Sequence, residues 1–180
     1  MLERVLRVKG PAQWLHGDRP TVRDVFFVHA AGLASAALAF GLADGTALRR
    51  SLLALLAWDV VGGVIAHHSA STSTWYAAQP RSARYLFLVL HVAPPLLLGW
   101  LDHRPSAWGV TVWATTLFVV ALVGTVKRAW QWPAGAFGAA VVCLVVFSVY
   151  KPSPLALFYV PFFALKLAAG FAVPHTGKKR

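Results

Sequence analysis

The sequence predicts an all-α integral membrane protein built as a six-helix transmembrane bundle. Apolar residues come in long blocks, each block approaches the roughly 20 residues a helix needs to cross the hydrocarbon, and the links between blocks are short. Of the 180 residues, 58% are hydrophobic and only 13% are charged. A soluble domain of this size could not bury so much apolar surface, so lipid is the solvent. Backbone polar groups must be paired internally in hydrocarbon, and blocks of this length suit helices.

The first 22 residues read as a cytoplasmic interfacial segment. Leu2, Val5 and Leu6 alternate there with Arg4, Arg7 and Lys9, the pattern of a short amphipathic surface helix, before Pro11, Gly17 and Pro20 break the chain. Spans are expected at 23–42, 49–68, 84–101, 107–126, 133–150 and 154–173. Together they form one membrane domain, followed by a basic cytoplasmic tail at 174–180. Pro94, Pro95 and Pro161 lie inside spans, where a missing donor and a ring clash predict kinks and freed carbonyls. Ala31, Ser35, Ala39 and Ala43 recur every four residues on the first helix, as do Gly62 and Ala66 on the second, which predicts close helix contacts.

The formal charge is +11, but the basic residues sit between apolar blocks and at the two ends instead of forming one stripe, so nucleic acid is not the expected partner. Membrane lipids are. With a cytoplasmic N-terminus the inner side would hold twelve Lys and Arg and the outer side four, so both termini are expected in the cytoplasm, at a bacterial inner membrane. Trp100 and Trp108 would then mark the outer interface, and Trp75, Trp130 and Trp132 the inner one. Cys143 is the single cysteine, which excludes an intrachain disulfide.

Chemistry concentrates near the inner boundary. His29, His67, His68, His91 and His175 all fall within roughly 10 Å of it at 1.5 Å rise per residue. Imidazoles on different helices could hold zinc, iron or haem. The leading expectation is therefore a small enzyme acting on a lipid or amphiphile from the cytoplasmic leaflet, either a metal-dependent hydrolase or a haem or metal oxidoreductase. His67, His68, His91 and His175 are its candidate metal ligands, with His67 and His91 as the pair for a bound cofactor. His67, His68, His91 and Asp59 are the candidate catalytic groups, and Arg81, Arg84, Ser71 and Lys166 would hold substrate.

Asp59 and Lys166 also carry a rival reading. Both lie near mid-bilayer at closely matching depth, where an unpaired charge is costly, so they are expected to pair or to line one polar cavity. Asp59, Gly63 and His67 advance by four residues and share a helix face. A proton-coupled transporter or channel would use the two charges as its midplane site and the histidines as a gate. A membrane scaffold or assembly factor would need no reactive site at all.

Overall fold

The computed structural model describes residues 2–173. The chain is a polytopic, all-α membrane protein with six stretches long and apolar enough to cross a bilayer. After a short helix α1 (Gln13–His16) come α2 (Val22–Leu42) and α3 (Ala47–His68), then a connecting helix α4 (Ala70–Ala78). The third span is α5 (Arg81–Leu90) continued by α6 (Ala93–Leu101). It is followed by α7 (Ser106–Thr125), α8 (Arg128–Val149) and α9 (Pro154–Leu165), which runs on as a π-helical stretch at Lys166–Phe171. Two-thirds of the last span is buried, against 22–39% of the others, so it is the central helix of the bundle. Around it the outward faces carry Phe26, Leu33, Leu55, Leu86, Phe118, Phe137 and Leu144, each more than half exposed. Such a belt is stable only against hydrocarbon.

Small residues set the α2–α3 contact as the spacing predicts, though the buried row is Val28, Gly32, Ser35 and Ala39, with Ala31 only half-buried. Ser35 donates across it to the Ala57 carbonyl at 3.1 Å, and Gly62 lets the Val28 carbonyl come close. At the opposite end of the bundle Trp108, the third residue of α7, is fully buried against Gly99. There Asp102 accepts from Arg104 Nε at 2.9 Å and from Ser153 Oγ at 2.6 Å. Ser153 in turn caps α9 through the Ala156 N–H, so one carboxylate ties the third span to the start of the sixth.

The third span is interrupted at His91 and Val92. The Val92 N–H bonds the Val89 carbonyl, and the Leu88 carbonyl instead accepts from the Trp113 indole at 3.1 Å. A side chain of α7 thus fills a gap in the α5 ladder. Pro161 sits inside α9 without breaking it, and the change to π geometry comes five residues later.

One local reading is corrected. Residues 2–9 do not form an amphipathic helix: 4–8 run beside 18–22, with Leu6 N–H on Pro20 O and Val22 N–H on Arg4 O. The Ser/Thr-rich segment after His68 is helical. Ser69 caps it as α4 by accepting from the Thr72 N–H.

The N-terminal segment then closes over α4. Tyr76 donates to the Trp14 carbonyl at 2.9 Å, Thr72 to the Leu15 carbonyl at 3.0 Å, and Ser71 Oγ accepts from the Arg19 N–H at 3.1 Å. His16 is buried with its ring 5.1 Å from His29. Burial, and next the neighbouring His29, lower its pKa below the ordinary value. A depressed folded pKa means that the unfolded segment takes up the proton first, so docking is at full strength above about pH 6.5 and weakens as pH falls. The protection of amides 13–16, measured as exchange relative to the intrinsic rate at each pH, will therefore fall on acidification from pH 7.5 to 5.5, and His16→Phe will remove that dependence.

Candidate functional site: a charged pair in the membrane interior

Helix α3 carries Asp59 twelve residues from Ala47 and nine from His68, about 13 Å from the latter end at 1.5 Å per residue. The central helix brings Lys166 to the same level, and its ammonium donates to Asp59 Oδ2 at 2.8 Å. The expected pair is formed. Its two members differ in surroundings: the Lys166 side chain is 5% exposed and that of Asp59 43% exposed. The ammonium is enclosed by protein, while the carboxylate reaches the edge of the bundle.

Gly63, one turn beyond Asp59, makes the enclosure possible. A Cβ there would lie 2.5 Å from Lys166 Cε and 3.0 Å from Nζ. Lys166 is also the first residue of the π-helical stretch, where Ala172 N–H reaches back five residues to Leu167 O. Single π turns inside α-helices recur where a side chain must be re-aimed for function.

His67 follows Gly63 on the same face of α3 and is buried in an aromatic box. Its ring lies 5.0 Å from Tyr76, 5.5 Å from Phe87 and 5.7 Å from Phe171. His91 packs on the same Phe87 at 4.0 Å and donates from Nδ1 to the Phe87 carbonyl at 2.7 Å. His68 points elsewhere. Its Nδ1 donates to the Val64 carbonyl at 2.7 Å, so Nε2 is the acceptor for the Trp132 indole N–H at 3.3 Å. Both ring nitrogens are committed, and ligation would break two hydrogen bonds.

The remaining candidates are dispersed. Ser71 serves the N-terminal segment, and Arg81 and Arg84 line a groove between α5 and α7 that Lys166 does not line. His175 lies outside the described residues, as does the basic tail. Sequence reasoning missed Tyr76 and Tyr159. Burial, and next the Asp59 charge, raise the Tyr76 phenol above its ordinary value, so it remains a donor. Tyr159, two turns before Lys166 on the central helix, is buried, and its hydroxyl has no partner among the described residues. A polar-tipped aromatic at i−7 from a buried lysine was the available signal.

No family model and no solved structure matches the chain. A curated relative does. Solute carrier family 22 member 7 of Sus scrofa is 32% identical over 137 residues, which cover 73% of this chain and 23% of that protein. The chain therefore spans less than a quarter of the length of the relative it matches.

Together with the geometry, this overturns the expectation of a histidine-rich, metal-dependent enzyme acting on a lipid. Among the described residues no group of three or more His, Cys, Asp or Glu is placed to hold a metal ion. The physical reason lies in the packing: His68 is engaged by Val64 and Trp132, while His67 and His91 both rest against the Phe87 ring. The relative is a solute carrier.

Proposed function

We propose that the chain is a proton-coupled membrane transporter or channel in which Asp59 and Lys166 form the midplane site. The observation that carries this reading is the ion pair itself, a buried ammonium held against a half-exposed carboxylate near the centre of a span. Ionisable groups at that depth are costly and concentrate on ion and substrate pathways. The resemblance to a solute carrier supports the same reading.

The chemistry follows from charge. Paired, the site is neutral. A proton on Asp59 leaves the enclosed ammonium uncompensated, so the site becomes cationic, and passing the proton onward restores neutrality. Each cycle couples proton movement to a change of charge at mid-bilayer, which a solute or a rearrangement of the bundle must answer. His67 and His91, both packed on Phe87, form the gate on the approach from the N-terminal face. Gly63 leaves the room in which the lysine arm reaches Asp59.

The test is proton flux into proteoliposomes under an imposed pH gradient, read with an enclosed pH dye. Wild type will acidify the lumen, Asp59→Asn will not, and His91→Ala will slow flux without removing it. Wild-type flux equal to that of empty vesicles, or an Asp59→Asn protein as active as wild type, would refute the assignment.

A further inference from the structure

The groove between α5 and α7 has a different composition from the midplane pair and serves neither charge. It encloses about 540 Å³, within the range of small-molecule sites. Its rim carries Arg81 and Arg84, both in the first turn of α5, and its walls are Leu88, Leu117 and neighbouring apolar residues reaching Gly124, one residue before the end of α7. The cationic rim is therefore at headgroup depth and the walls run toward mid-bilayer. Among the described residues no acidic side chain lines it.

Arg84 is held ready there. Its guanidinium lies 5.7 Å over the Phe171 ring, and its Nε is buried with no hydrogen-bond partner among the described residues. A guanidinium nitrogen without a partner favours an incoming oxyanion, and two arginines one turn apart suit a phosphate. The first turn of α5 has no side-chain cap, so its N–H groups add to the same preference. A Cβ at Gly124 would meet nothing within 4 Å, which leaves the groove open to the lipid side.

We propose that this groove binds one anionic glycerophospholipid from the leaflet at the N-terminal face, with the phosphate between Arg81 and Arg84 and an acyl chain along the apolar walls. A zwitterionic headgroup would bring a second cation against the two guanidiniums, and a soluble anion would leave the walls unused. Neither Asp59 nor Lys166 lines the groove.

Native mass spectrometry of the full chain released from mild detergent, with phosphatidylglycerol and phosphatidylcholine at equal concentration, tests it. The expected result is a single phosphatidylglycerol adduct that saturates first, favoured about tenfold, equivalent to about 1.4 kcal/mol. Arg81→Gln/Arg84→Gln will reduce it to the phosphatidylcholine level, and Lys9→Gln, outside the groove, will not. Ala121→Trp, which fills a wall and keeps both charges, will weaken it, whereas Arg84→Lys will retain the preference. Equal binding of the two lipids, or an unchanged adduct in the double variant, overturns the proposal. Displacement of the lipid by millimolar inorganic phosphate, or full binding by Ala121→Trp, overturns it in favour of a soluble-anion site.

Discussion

Asp59→Asn will destabilise the bundle far more than Lys166→Met. Removing the carboxylate leaves an enclosed ammonium without its partner, a change that costs about 3 kcal/mol in buried pairs. Removing the ammonium leaves a carboxylate that is 43% exposed. If that exposed side meets water, as a transport path requires, the loss is about 1 kcal/mol or less. If it meets hydrocarbon, the unpaired carboxylate is as costly as the unpaired lysine. Thermal unfolding in detergent and in lipid nanodiscs will separate the two, and the double variant Asp59→Asn/Lys166→Met will recover most of the Asp59→Asn loss. Equal losses for the two single variants in nanodiscs would contradict a water-accessible Asp59.

Gly135→Val will disrupt the part of the central helix that carries the lysine. On α8, Gly135 lies directly against the π-helical stretch: a Cβ there would overlap the Ala168 carbonyl oxygen and lie 2.9 Å from the Ala169 Cα. These are backbone atoms and cannot rotate away, so the helices must separate. Overpacking of this kind costs about 1–3 kcal/mol, and here it also shifts Lys166 two residues away. The measurement is the unfolding midpoint alongside proton flux, and both are expected to fall. Gly124→Ala, at a position with open space, will change neither.

The spans were legible because hydrocarbon imposes one constraint, length of apolar block, and the six observed stretches follow the six expected blocks. Boundaries moved where the ends are amphipathic. The third span begins at Arg81 and the fifth at Arg128, so Pro133 lies inside α8 and does not open it. Helix α4 was hidden by serines and threonines, which compete with the helix ladder for hydrogen bonds. It is fixed by the Ser69 cap and by contacts with residues more than fifty positions earlier, which no local pattern carries. That Trp108 is buried and Trp100 exposed was not legible, because position along a span says nothing of which face is turned inward.

At the site, the Asp59–Lys166 pair was legible from matched depth alone. The histidines were misjudged for the opposite reason. Shared depth suggested a cluster, yet azimuth separates them, since His67 and His68 differ by about 100° around α3. One ring enters the aromatic box and the other turns to Trp132. The partners that engage them, Phe87, Phe171 and Val64, bear no chemical signal in a sequence.

The most direct measurement is pH-gradient-driven proton flux in proteoliposomes for wild type, Asp59→Asn and the charge-swapped Asp59→Lys/Lys166→Asp. A midplane pair that carries the proton predicts flux in wild type, none in Asp59→Asn, and partial recovery in the swap, where a carboxylate again faces an ammonium. Flux in Asp59→Asn at the wild-type rate would show that protons cross elsewhere and that the pair only holds the bundle together.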